Sequence, residues 1–243
     1  MGSAIAPRKT SEQPQSANRL VRLYQSSIGK KLITGVTGLG LAIFGLVHML
    51  GNLTLLASPE AYNEYAYHLE QWGLLLYAIE LILLTFVIFH ALLGIQIYLG
   101  KLKARPVGYQ TYTSTGAPSL QSLSSRTMIL SGLGLGVFLV FHLMAFKFGP
   151  YYSTVLANGS AGRDLARLVL EKFQTPQYAF GYSAVMILLG LHLRHGLWSA
   201  LQSLGAMSAG AKPLIYSLGT GLAIAIAAGF IGLPLAVYFG LVG

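Results

Sequence analysis

The sequence predicts an all-α membrane protein with five transmembrane helices. Of its 243 residues, 54% are hydrophobic and only 9% are charged, which is too little charge to cover a water-soluble domain of this length. Apolar stretches of about 20 residues, the length that crosses a bilayer, recur five times. They cover residues 31–51, 73–99, 127–147, 178–201 and 214–241. We therefore divide the chain into a polar cytoplasmic N-terminal tail, 1–26, and a five-helix membrane domain, 27–243.

The absence of cysteine excludes several kinds of redox chemistry from this chain. Without a thiolate it cannot ligate an iron–sulfur cluster, attach a c-type haem or form a disulfide. Residues 1–20 contain no long apolar run, so we expect no signal peptide. The net charge of +9 is explained by loops that orient a membrane protein, and we expect no nucleic-acid partner.

Basic residues are unevenly distributed between the two ends of the predicted spans. Eleven Lys and Arg residues flank the side that holds the N-terminus, and four flank the other side. Cytoplasmic loops of membrane proteins carry the excess of positive charge. The distribution therefore predicts a cytoplasmic N-terminus and a C-terminus outside.

One histidine lies late in each of the first four spans: His48, His90, His142 and His192. Each is about 14–17 residues from the predicted start of its helix, or roughly 21–26 Å along the axis. Because successive spans run in opposite directions, His48 should lie level with His142 near the outer face. His90 should lie level with His192 near the cytoplasmic face. We expect the two levels to be roughly 10–20 Å apart within a hydrocarbon core of about 30 Å.

Each predicted pair suits the two axial positions of a haem iron. Neutral imidazole is a good iron ligand, and coordination would satisfy ring nitrogens that hydrocarbon otherwise penalises. Zinc fits less well, because it usually takes three or four protein ligands and the spans offer no carboxylate cluster. A single histidine could simply form a hydrogen bond across the bundle. Four histidines paired in depth favour two b-type haems, bound by an up-and-down bundle of the first four helices.

Other residues of the spans have two interpretations each. His195, one turn beyond His192, is a rival ligand or a contact for a propionate, a water or a headgroup. Glu80, near the middle of the second span, is either a proton relay or bonded to a neighbour. Glycines of the first and third spans either allow close helix packing or make room for a flat macrocycle. They are Gly35, Gly38, Gly40, Gly45, Gly132, Gly134 and Gly136.

Five stretches resemble the cytochrome b membrane subunit of succinate:quinone oxidoreductases, of the single-chain, five-helix, two-haem type. They are SSIGKKLITGVTGL, IFGLVHMLGN, FVIFHALLGIQIY, VFLVFHLMAF and LHLRHGLWSALQSLG. The last is the most specific, because the first histidine of the family's H-x-x-[HN]-G-L-W-S run is an axial ligand, and it maps to His192. The resemblance also implies His48, His90 and His142 as ligands, in the same pairs. Some two-haem fumarate reductases have a glutamate where this chain has Gly190.

The resemblance implies the membrane anchor of succinate dehydrogenase or fumarate reductase, which is respiratory complex II and part of the tricarboxylic acid cycle. A flavoprotein subunit and an iron–sulfur subunit would bind on the cytoplasmic face of a bacterial or archaeal-type membrane. Two haem b groups would connect them to a membrane quinone, which in the two-haem type is usually menaquinone. The chain would not act on succinate by itself. Rival functions are a b-type cytochrome of another dehydrogenase and a haem-free transporter or anchor.

Propionates and quinone need contacts of their own. The candidate propionate contacts are Arg194, His195 and Lys31. An outer quinone site would use proton donors and aromatic rings of the first connection. These are Glu60, Tyr62, Glu64, Tyr65, His68, Glu70 and Trp72. An inner site would use Ser27, Lys30 and Lys31. An interfacial helix with an aromatic belt, a solvated His68 and positive-inside anchors explain the same residues without a quinone.

Overall fold

Five long helices make up the body of the molecule in this computed structural model, which describes residues 19–104 and 123–242. They are α2 (Ser27–Leu53), α4 (Leu74–Ala104), α6 (Met128–His142), α8 (Pro176–Ser203) and α9 (Lys212–Tyr238). A π-helical turn, Leu143–Lys147, prolongs α6. All five segments are long and apolar enough to cross a membrane. The predicted all-α class and the five spans are confirmed.

The first four spans form a closed ring of neighbours. Helix α2 packs against α4 and α8, and α6 packs against the same two helices. Helix α9 lies outside this ring, against α8 and α2. Small residues permit the closest approaches: a Cβ added at Gly35 would lie 3.5 Å from the Ala200 backbone, as is common between membrane helices.

A short helix, α1 (Arg19–Gln25), precedes the first span. Ser26 separates α1 from α2. Its side-chain oxygen accepts a hydrogen bond from the Gly29 amide at 2.9 Å and so caps α2. The predicted polar tail, 1–26, is therefore helical in its last part, because the run LVRLY supplies apolar residues that a solvated tail lacks. Residues 1–18 lie outside the described part. A second short helix, α5 (Leu123–Arg126), precedes α6.

Shorter elements close the opposite end of the bundle, which we name the capped end; the end where α2 begins is the N-terminal end. The cap comprises a 3₁₀ turn (Thr54–Leu56), α3 (Pro59–Glu70), the antiparallel hairpin β1 (Ser153–Val155) and β2 (Ala161–Arg163), and α7 (Leu165–Phe173). The 3₁₀ turn, α3 and α7 pack with α9 around a buried apolar core, and β2 packs on α3. The members of this core are Leu55, Tyr62, Ala166, Val169, Phe173, Leu233 and Val237.

A buried amide joins the two helices of the cap. The Asn63 side chain donates to Asp164 Oδ1 at 2.8 Å and accepts from the Ala166 amide at 2.8 Å. Asp164 in turn accepts from the Arg167 amide at 3.0 Å and caps α7. Buried polar groups are costly unless they are hydrogen-bonded. This network therefore holds α3, which connects the first and second spans, against α7, which connects the third and fourth.

Candidate functional site: two histidine pairs between the membrane helices

The structure brings the four span histidines together in two pairs. The ring centroids of His48 and His142 are 5.8 Å apart, and those of His90 and His192 are 6.1 Å apart. Two metal–imidazole bonds of about 2 Å each, together with the two ring radii, span about 6 Å. The spacing of each pair would therefore accommodate one metal atom between its two rings.

The histidines nearer the N-terminal end hold their rings by hydrogen bonds at Nδ1. His90 Nδ1 lies 3.1 Å from the Thr34 carbonyl oxygen, which can only accept, so this nitrogen carries the proton. His192 Nδ1 lies 3.1 Å from Ser131 Oγ, whose own hydrogen is donated to the Met128 carbonyl at 3.1 Å. Both rings therefore donate through Nδ1 and keep Nε2 unprotonated, which is the arrangement of metal-bound histidines.

Two glycines make room for these rings. A Cβ added at Gly38 would lie 2.8 Å from His90 Cε1, and a Cβ added at Gly132 would lie 3.3 Å from His192 Cε1. Apart from the backbone of its own helix, no described residue has a heavy atom within 4 Å of a Cβ added at Gly136. Some of the span glycines are therefore required by the imidazoles, which is a third explanation beside helix packing and space for a macrocycle.

Aromatic rings surround the pair nearer the capped end. Phe44 stacks on His48 at 5.3 Å, and Phe138 stacks on His142 at 5.6 Å. Phe146 and Tyr182 approach His142, and Phe230 of α9 approaches His48 at 5.9 Å. These rings were not predicted, although the four-residue spacing of Phe44 and Phe138 from the histidines is visible in the sequence.

The Nδ1 atom of His142 is buried and has no hydrogen-bond partner among the described residues. A buried ring nitrogen without a partner is costly in an apolar site. Coordination of the same ring through its other nitrogen would not remove this cost, but it would hold the imidazole where it lies. The donor set of both pairs, two facing imidazoles in an apolar surround, fits a b-type haem.

A hydrogen-bonded chain links His48 to the cap. The Tyr62 hydroxyl donates to Asn52 Oδ1 at 2.9 Å, and Asn52 Nδ2 donates to the His48 carbonyl at 2.7 Å. The same Nδ2 lies 3.4 Å from His48 Nε2. Burial raises the pKa of the Tyr62 phenol, so it stays a neutral donor. Tyr62 therefore connects the cap to the surround of His48, and its contact with a quinone stays a prediction.

The two levels are separated by about ten residues of helix. Gly38 marks the level of His90 on α2, ten residues before His48, and Gly132 marks the level of His192 on α6, ten residues before His142. At 1.5 Å per residue the levels are about 15 Å apart. This spacing lies within the range expected from the sequence.

Glu80 forms an ion pair with Lys147, at the end of the π-helical turn. Of the two interpretations of Glu80, the structure shows the one in which it bonds to a neighbour. His195 lies against Trp198, with ring centroids 5.9 Å apart. Arg194 donates to the Ser124 hydroxyl at 3.0 Å and to the Tyr216 hydroxyl. Contacts of these residues with a propionate remain predictions.

The candidate quinone residues are dispersed. In the first connection, His68 and Trp72 are exposed, and Tyr65 covers Gly51. Glu60 and Glu70 are also exposed, and Glu64 is half-buried. At the start of α2, Ser27 and Lys31 are exposed and Lys30 is half-buried. Two apolar grooves on the surface of the described helices include none of these residues, so both quinone sites stay predictions.

These features define a class of protein: a polytopic, all-α membrane protein with two facing histidine pairs between its first four spans. Residues 32–117 match the family model described as the succinate dehydrogenase/fumarate reductase transmembrane subunit. Residues 32–117 are therefore similar to the transmembrane subunits of succinate dehydrogenase and fumarate reductase. The matched segment contains most of α2 and all of α4, with His48 and His90. No curated protein and no solved structure matches the chain.

Proposed function

We propose that the chain is the dihaem membrane anchor that conducts electrons between the hydrophilic subunits of succinate dehydrogenase or fumarate reductase and a membrane quinone. The observation that carries this proposal is the pairing of four intramembrane imidazoles at 5.8 and 6.1 Å on two levels. Intramembrane ionisable residues are rare and are functional by default. The family match independently supports the membrane-anchor role.

Each helix of the ring has a defined task in this proposal. Helices α2 and α6 contribute His48 and His142 at the capped end, while α4 and α8 contribute His90 and His192 at the N-terminal end. The Thr34 carbonyl and the Ser131 hydroxyl hold the rings of His90 and His192 through Nδ1 and leave their Nε2 atoms available. The rings of Phe44 and Phe138 exclude water around His48 and His142. A haem b at each level would supply a one-electron carrier whose potential the axial ligands and surround set.

The assembly follows from the charge distribution. The excess of Lys and Arg at the N-terminal end favours a cytoplasmic location for it, and the flavoprotein and iron–sulfur subunits would bind there, next to the His90/His192 pair. Lys31 lies one turn before Thr34 on α2 and is suited to a propionate at that level. Electrons would then pass to the capped-end pair and to a quinone, with menaquinone as the candidate implied by the two-haem resemblance, or in reverse.

The proposal is tested by counting haem. We expect the purified complex to contain two haem b per copy of this chain and to show a reduced absorbance band near 560 nm. His90→Ala and His142→Ala should each remove one haem, and a different one, because they belong to different pairs. His68→Ala is the matched control, since His68 is exposed outside the spans.

Two results would contradict the proposal. A preparation without a b-type spectrum would favour a haem-free anchor or transporter. A haem-bearing chain that co-purifies with a molybdenum or nickel subunit, instead of a flavoprotein subunit, would assign it to another dehydrogenase.

A further inference from the structure

We propose that the groove between α8 and α9 binds one anionic phospholipid, with its phosphate on Arg194. The groove has a volume of about 310 Å³. Its walls are apolar, and Arg194 is the one charged residue that lines it within the described part of the chain. This binding site is independent of whether the histidine pairs hold haem.

No acidic side chain in the described ranges, 19–104 and 123–242, pairs with Arg194. The chain contains seven Asp and Glu residues. Five belong to the cap or its edges, Glu80 pairs with Lys147, and Glu12 lies in the N-terminal segment outside the described residues. Among the described residues, the Arg194 guanidinium donates hydrogen bonds to two neutral hydroxyls, those of Ser124 and Tyr216. A guanidinium at membrane depth is costly without an anion, so the anion must come from outside the described chain.

The groove opens toward lipid. The side chains of Ile187 and Ile224 at its edges are 58% and 62% exposed, and both belong to membrane spans. Small residues on both helices form its floor: Gly190 on α8, and Ala223 and Ala227 on α9. An acyl chain is the occupant that such an apolar, lipid-facing channel favours.

The depth of the site agrees with a headgroup. Helix α9 has 27 residues, or about 40 Å, against a hydrocarbon core of about 30 Å. Tyr216, four residues from the start of α9, therefore lies near the boundary of the core, and the Arg194 guanidinium reaches its hydroxyl. The groove continues from Ala223 to Ile231, about 12 Å deeper, along the direction of an acyl chain.

The geometry favours lipid over a haem propionate as the anion. Arg194 is two residues past His192, so it points about 200° around α8 from the imidazole. Its hydroxyl partners belong to α5 and α9, whereas His192 faces α4 and α6. A phosphate forms strong, bidentate contacts with a guanidinium.

The test uses the full-length complex in mild detergent, stripped of native lipid. Native mass spectrometry would measure the binding of phosphatidylglycerol and of phosphatidylcholine. We expect one phosphatidylglycerol per chain to bind about tenfold more tightly than phosphatidylcholine, since one charge-assisted contact contributes about that factor. Arg194→Gln should abolish the preference, and Arg194→Lys should retain part of it. Lys212→Gln, which removes an exposed cation at the same end of α9, is the matched control and should change nothing.

A second variant keeps the test decisive if Arg194→Gln does not fold. Ala228 is exposed and lines the groove, so Ala228→Leu should fill the acyl channel without disturbing the helix packing and should abolish the tight site. Wild-type preference for phosphatidylglycerol in either folded variant would overturn the proposal. Unchanged lipid binding with a lost haem in Arg194→Gln would also overturn it and assign the guanidinium to a propionate.

Discussion

Substitution of Gly38 by alanine should weaken the cofactor site at the N-terminal end and leave the other site intact. The new Cβ would lie 2.8 Å from His90 Cε1, where ordinary contacts begin at 3.4 Å. The ring must therefore move by about 0.6 Å, which lengthens the 3.1 Å bond from Nδ1 to the Thr34 carbonyl to about 3.7 Å, beyond hydrogen-bond range. Overpacking of about 1–3 kcal/mol and a lost hydrogen bond of about 1 kcal/mol together predict haem affinity lower by about 30- to 1000-fold.

The assay is the haem-per-chain count and the reduced spectrum of each variant, with His90→Ala and His142→Ala as references for the two sites. Gly132→Ala, whose Cβ would lie 3.3 Å from His192, should retain haem with a shifted band. Gly136→Ala meets no neighbour and should match the wild type. Alanine favours helix over glycine by about 0.5–1 kcal/mol, so Gly136→Ala, which makes this change without a clash, is the control for helix stability. A Gly38→Ala protein with two haems and unaltered spectra would show that the space at Gly38 is not required for the His90 ring.

Three further predictions concern the capped end. Tyr62→Phe removes the donor to Asn52 and should shift the midpoint potential of the haem at His48, and not of the other haem, in a redox titration. Asn63→Ala leaves the Ala166 amide without its acceptor and should lower the free energy of unfolding by about 1–3 kcal/mol, seen as faster proteolysis of the cap. The Arg167 guanidinium and the Tyr152 hydroxyl lower the pKa of Glu171, so Arg167→Gln should raise it. A carboxyl NMR titration would then show protonation of Glu171 beginning at higher pH. An unchanged pKa would contradict the ion pair.

The spans and the pairing of their histidines are predictable because both depend on chain geometry alone. Apolar length fixes the helices, and alternating direction fixes which histidines share a level. The observed helix bounds differ from the predicted ones by up to five residues, as polar helix ends extend past the hydrocarbon core. The separation of the levels follows from the ten residues between Gly38 and His48.

The cap and the surround of each histidine depend on long-range contacts that a single sequence does not encode locally. Asn63 and Asp164 are 101 positions apart, and neither is distinctive in its own segment. Phe230 reaches His48 from α9, a span predicted only as a hydrophobic helix. The ion pair of Glu80 with Lys147 was not predictable either. Lys147 belongs to a π-helical turn, and the apolar pattern of the third span does not reveal that turn.

A density map of the complete complex tests the central claim most directly. We expect macrocycle density between His48 and His142 and between His90 and His192, with an iron between the rings of each pair and the two levels about 15 Å apart along the helices. Direct contact of either pair without intervening density, or an imidazole of either pair turned toward lipid, would contradict it.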